Sequence, residues 1–297
     1  MSENKKPEVF RRKTKINVPL CFGAIGKIEA FFFLLNFALG ILAAWKMKKF
    51  FDNEDFSLKT ISFGEFFFSF LVALLFVLWV VYFVKSPKGK RIFFKTIFLF
   101  SVIFGGLSFF NLWLGPFLSL FLVFLLAFLW LKKRTVWLHN LFLTFALAGV
   151  AARLGLDLSP QVVILAMLLF SFYDYVAVYK TKHMVKIAEE MIADEAIFGI
   201  VIPQKISDFK VDLKTLQLTR HRFLVVGAGD IAFPLLLAVS FVPAGLFHSI
   251  ISTLFSFVGF SSGSFIFSRQ KERKPMPGLP PIAFFSFLGY LVIKLVF

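Results

Sequence analysis

The feature that most constrains this chain is a succession of apolar runs, each about long enough to cross a bilayer, separated by short strips of Lys and Arg. Lipid is the solvent this pattern fits. Of 297 residues, 59% are hydrophobic and 46 are Phe, more apolar surface than a water-soluble domain of this size can hide. A helix needs about 20 apolar residues to cross the hydrocarbon core. Single crossings are expected at 28–45, 61–84, 135–152, 161–179 and 280–297. The stretches 92–131 and 222–268 are too long for one crossing, since 40 residues at ~1.5 Å each would run ~60 Å. Each is expected to be a hairpin of two spans, broken at Asn111 with Gly115-Pro116 and at Pro243-Ala244-Gly245. The expectation is an all-α bundle of nine transmembrane helices forming one membrane-embedded domain, 1–297.

Nine is odd, so the termini face opposite sides. Of the 33 Lys and Arg, 26 fall on the side of the N-terminus and six on the other, with Lys95 just inside a span. By the positive-inside rule the N-terminus is cytoplasmic. The chain is expected to be an integral, multi-pass protein, in the cell membrane if it is prokaryotic or archaeal. The net charge of +16 comes in strips rather than one continuous face, which argues for lipid and cytoplasm and against nucleic acid as the partner. Cys21 is the single cysteine, so no intramolecular disulfide and no Cys-based metal site can form. The first apolar run follows a basic tail as a signal peptide does, but it lacks a small-residue cleavage site and reads as a retained span.

An Asp at the centre of a span costs about 2.5–3.5 kcal/mol on insertion scales, so an acid there is a functional candidate. Two stand out: Asp174 in the sixth span and Asp230 in the seventh. Asp174 lies five residues from the inner end of its span and Asp230 eight residues into its own, ~7.5 and ~12 Å deep. Adjacent antiparallel helices can bring them together, and Gly227 and Gly229 remove side chains where the helices would approach. Two carboxyls that close share a proton and titrate as a pair, one as base toward water and one as acid toward the peptide carbonyl. From the two acids alone, a structural role or proton relay in a channel or transporter outweighs proteolysis.

Three motifs change that weight: Tyr173-Asp174, continuing to Tyr179-Lys-Thr-Lys-His183-Met184; Gly227-Ala-Gly229-Asp230; and Pro277-Gly278-Leu279-Pro280. In order and spacing they resemble the presenilin and signal peptide peptidase family of intramembrane aspartyl proteases, particularly its archaeal members. The family pattern is Tyr-Asp in the sixth span, Gly-x-Gly-Asp in the seventh and Pro-Ala-Leu before the ninth. The resemblance implies Asp174 and Asp230 as the catalytic dyad and Pro277 to Pro280 lining the site. It implies substrates that are single-span membrane proteins or remnant signal peptides, without cofactor or metal. One position departs: Gly278 stands where the family has Ala, and the smaller residue keeps the backbone accessible. No obligatory partner subunit is evident. Prepilin peptidases also use Gly-x-Gly-Asp, but the other two motifs fit them poorly. A transporter would be expected to show paired repeats or broken helices in corresponding halves, and none is visible.

Other signals are weaker. Phe223 to Ala232 matches the Gly-x-Gly-x-x-Ala turn of a dinucleotide-binding fold, but no Asp or Glu occurs between Asp230 and Glu272 to hold a ribose. Gly259-Phe-Ser261-Ser-Gly263 fits a serine-nucleophile pattern with no His after it, and reads better as a helix contact. His139, His183, His221 and His248 are scattered and none precedes Glu, so the zinc-protease pattern is missing.

The one long connection, 180–221, is expected to be helical from Lys182 to Ala196 and strand-like over Ile197-Phe-Gly-Ile-Val-Ile202, closed by Pro203. A substrate helix must be unwound before it is cut, and lipid cannot satisfy the freed backbone groups. The run 197–202 is therefore expected to be a mobile strand that pairs with substrate, together with backbone before Pro277.

Overall fold

The computed structural model describes residues 22–53, 61–83, 86–181, 184, 191, 196–215, 223–270 and 275–296. The basic tail with Cys21, most of the expected helix Lys182–Ala196, and His183, His221, Arg222 and Glu272 lie outside the described residues. The fold is mostly helical. Among the described residues, six helical stretches are long and apolar enough to cross a membrane, with two shorter apolar ones at Phe63–Ala73 and Ala228–Ser240.

Helix α1 (Phe22–Asn53) is longer than the expected run and carries on through Lys46, Lys48 and Lys49. These cations do not end the helix because each finds an interfacial partner: Lys46 lies 4.0 Å over the Trp113 ring, Lys49 lies 3.9 Å over Trp45, and Lys48 Nζ donates to Pro243 O at 3.3 Å. Helix α2 (Phe63–Phe83) begins with a capping box, in which Ser62 N–H donates to Glu65 Oε2 (2.9 Å) and Glu65 N–H to Ser62 Oγ (3.3 Å). Glu65 is thus part of the N-terminal cap of α2.

The stretch α3 (Pro87–Lys132) is two helical arms. Gly115 has φ 74° and ψ 171°, and Pro116 follows it. A straight helix would hold Phe98 and Trp130 ~48 Å apart, yet their rings are 5.0 Å apart. The chain therefore folds back at Gly115-Pro116, as expected from the sequence, and only a residue tolerant of positive φ serves there. Helix α4 (Val136–Asp157), capped by Thr135, then enters the centre of the bundle. Its small residues allow the backbones to meet: a Cβ placed on Gly149 would stand 2.8 Å from Phe109 N, and one on Gly105 2.8 Å from Ala146 Cα.

Helix α5 (Pro160–Tyr175) has Ser159 as N-cap and Pro160 in its first turn, and it continues into a wide π turn, Val176–Lys180. The chain then forms β1 (Gly199–Pro203) and β2 (Phe223–Gly227), an antiparallel pair with Val201 opposite Val225. Helix α6 (Ala228–Ser240) follows without a linker, the Phe241–Gly245 turn reverses the chain, and α7 (Leu246–Ser268) and α8 (Leu279–Val296) complete the bundle.

The strand β2 corrects the expected seventh helix. A continuous helix was expected from 222, but α6 has only 13 residues, ~20 Å, and the five before it are strand. Phe223-Leu-Val-Val is apolar with two β-branched residues, a composition that favours a strand once a partner is available. The expected mobility of 197–202 is also corrected. All five residues of β1 are buried, Ile200 and Ile202 against the main core and Val201 against Val136 and Leu213.

Candidate active site

Asp174 ends the regular part of α5 and is 8% exposed. The π turn after it widens the helix at this point, a distortion that often accompanies function. Its Oδ2 accepts from Leu279 N–H at 3.3 Å, and the Gly278 N–H is directed at the same carboxyl. Asp230 is the third residue of α6 and partly exposed. Its carboxyl reaches back to the N–H of Gly227, the N-cap, in the manner of a capping-box acid, and sits in the favourable field of the helix N-terminus.

One short segment ties the two acids together. Leu279 is 4% exposed and packs with Ala166 and Phe170 of α5, which anchors Pro277 to Pro280 beside Asp174. A Cβ placed on Gly278 would stand 2.7 Å from Asp230 Cγ. The Gly278-Leu279 backbone thus touches Asp174 with its N–H groups and Asp230 with the face that carries no side chain. At this position glycine is what permits the contact. Gly278→Ala is expected to push the Asp230 carboxyl aside and to lower whatever activity depends on the pair about tenfold with unchanged thermal stability, where a 1 Å misplacement can cost ~10²-fold. Activity measurements and a melting curve check this, and an unchanged rate would show that the close approach is not used.

The family model for signal-peptide peptidase, presenilin aspartyl protease matches residues 32–297, most of the chain. The chain belongs to that family. It is an intramembrane aspartyl protease, and nothing favours the channel or transporter reading. Two solved structures of a presenilin family intramembrane aspartate protease, in different crystal forms, share the fold. The first has 19% identity and a TM-score of 0.63, covering 92% of this chain and 99% of that one. The second has 22% identity and a TM-score of 0.57, covering 94% and 99%. No curated protein matches the chain.

The remaining motif residues of this presenilin-family protease fall as follows. Tyr173 is 40% exposed, immediately before Asp174. Gly227 faces Asp230, and a Cβ there would be 3.2 Å from Asp230 Oδ2. Gly229 is exposed, and a Cβ there would meet only Phe233 at 3.9 Å. The two glycines therefore do not serve a close helix crossing, the role expected from the sequence. Gly227 makes room for the carboxyl and Gly229 leaves the approach to it open.

Gly259 and Gly263 are a helix contact, as expected. A Cβ on Gly259 would stand 2.7 Å from Pro281 O, and one on Gly263 3.0 Å from Pro281 Cγ, so α7 seats the start of α8. The resemblance to a dinucleotide-binding turn is locally real, since a strand ends at Gly227 and a helix begins. Its partner strand is antiparallel, so no parallel βαβ unit is formed around it.

The sequence reading missed Asn140 and gave His139 no specific partner. Both are fully buried in α4 and hydrogen-bond to β1. The available signal is an amide within the first turns of an apolar span, a polar group that must find a partner once buried.

Proposed function

We propose that Asp174 and Asp230 are the catalytic dyad of this protease and that it hydrolyses peptide bonds within transmembrane segments or remnant signal peptides. The observation that carries this reading is the Gly278-Leu279 backbone in contact with both carboxyls. One carboxylate takes a proton from water, whose oxygen attacks the peptide carbonyl carbon. The protonated carboxyl gives its proton to the carbonyl oxygen, forming a gem-diol. Return of the carbonyl then breaks the C–N bond: one gem-diol hydroxyl gives its proton to the carboxylate while the nitrogen takes the proton held by the other carboxyl, leaving a new acid, a new amine and a dyad that again holds one proton.

Substrate backbone has an edge to bind. The pairs Ile200 with Val226 and Ile202 with Leu224 face each other within the hairpin, because Ala228 N–H donates to Phe198 O at 3.0 Å and Val201 turns its groups outward to α4. Phe223, Val225 and Gly227 therefore point their backbone groups away from β1, and no described strand lies there. An unwound substrate segment added to this edge leads directly to Asp230. The substrate edge is β2, then, in place of the β1 run expected from the sequence, both edges of which are taken.

The chain is one domain of nine crossings, α3 and the α6–α7 pair supplying two each, with the N-terminus and the 180–221 connection cytoplasmic and no obligatory partner. With Cys21 replaced, a Cys at exposed Ser207 is expected to be labelled only from the cytoplasm and one at exposed Asn53 only from the opposite side. Labelling of both from one side would overturn the topology. The function itself is tested with purified protein in lipid vesicles and a synthetic single-span peptide. New termini within the apolar stretch, found by mass spectrometry, are expected, and an intact peptide would contradict the reading.

A further inference from the structure

Val201, in the middle of β1, is fully buried, so its N–H and C=O need partners inside the protein. Both find them in a single side chain. Val201 N–H donates to Asn140 Oδ1 at 2.9 Å, and Asn140 Nδ2 donates to Val201 O at 2.7 Å. The preceding residue on α4, His139, brings its Nε2 to 3.0 Å from Gly199 O; a carbonyl only accepts, so that nitrogen carries the proton. His139 is itself fixed by stacking on Phe98, with ring centroids 5.3 Å apart and planes 9° from parallel.

A carboxamide presents a donor and an acceptor side by side, the same pair of groups that a residue on a neighbouring antiparallel strand would offer. Asn140 thus occupies the place of a third strand. We infer that Asn140, assisted by His139, is a positioning residue of this protease: it closes the outer edge of β1 and locks the β1–β2 hairpin in register. Register matters because β2 runs into the Asp230 turn without a linker, so a shift of β1 against β2 would move the substrate edge relative to the dyad. The brace also accounts for the choice of edge. With Asn140 on one side of the hairpin, the substrate is left with β2. The inference rests on the reading of β2 as the substrate edge, and the experiment separates the two.

Asn140→Leu keeps the branched shape, though with bulkier methyl groups, and removes both hydrogen bonds. The variant is expected to bind a transition-state inhibitor of aspartyl proteases as the unmodified enzyme does, to cleave a single-span peptide at least about tenfold more slowly, and to release products whose ends spread over neighbouring bonds. Cleavage at the original bond and rate would overturn the inference. Hydrogen exchange on the otherwise unmodified Asp174→Asn enzyme, which keeps the peptide uncut, gives a second test that does not depend on the Leu variant folding. Residues 199–203 are expected to be protected before the peptide is added and unchanged after it, while 223–227 gain protection. If 199–203 exchange freely and become protected only with peptide, β1 is the substrate edge and the brace is refuted. If 199–203 stay protected and 223–227 do not respond, the β2 reading fails while the brace stands.

Discussion

Asp174→Asn and Asp230→Asn each lower cleavage by about 10³-fold or more while the bundle stays folded. General acid and base catalysis contribute about 10²–10⁴-fold, and a dyad that shares one proton loses both roles when either carboxyl becomes an amide. An amide is nearly isosteric with a carboxyl and can still accept the N–H groups that meet Asp174 and Asp230, so packing around Leu279 and the Gly227 turn should persist. The double variant should be no worse than either single one, because residues acting as a unit are not additive. In the unmodified enzyme the rate should pass through a maximum with pH, rising as one carboxyl of the pair ionises and falling as the second does. Cleavage rates at a series of pH values, with circular dichroism to confirm the fold, check both statements. A rate that climbs to a plateau would mean that a single titrating group controls the reaction.

Val225→Pro lowers cleavage about tenfold or more without loss of inhibitor binding. The Val225 N–H points to the outer edge of β2, so proline removes a donor offered to the substrate and leaves the bonds between β1 and β2 in place. One net backbone hydrogen bond of about 0.5–1.5 kcal/mol corresponds to a factor of up to roughly ten, and the ring adds steric obstruction along the edge. Leu224→Pro is the comparison. Its N–H faces β1, so that change breaks the hairpin itself and should lower thermal stability as well as rate. If Val225→Pro cleaves normally, substrate does not lie along β2.

The two acids were legible in the sequence because a carboxyl within an apolar run is costly, and their neighbours carried the family resemblance. The fold-back of α3 was legible for a similarly local reason, since no straight helix of that length fits a bilayer and Gly115-Pro116 marks the break. Less was visible at the hairpin. Phe223 to Val226 is a short apolar run that periodicity cannot assign to helix or strand, and it became a strand because Ile200 and Ile202 lie opposite Val226 and Leu224, respectively. The contact between Gly278 and Asp230 joins residues 48 positions apart and depends on where Leu279 is anchored, which no local pattern encodes. Asn140 was hidden for a further reason: its partner is backbone, and backbone leaves no mark in a sequence.

On our proposal, one site built from Asp174 and Asp230 cuts peptide bonds inside the membrane. The most direct test is cleavage of a synthetic single-span peptide by the purified protein in lipid vesicles, titrated with a hydroxyl-bearing mimic of the peptide-hydrolysis transition state. Cleavage should stop at one inhibitor per chain, and inhibitor binding should weaken when either Asp174 or Asp230 is changed to Ala. Cleavage that continues with the inhibitor in excess, or that survives either substitution, would contradict it.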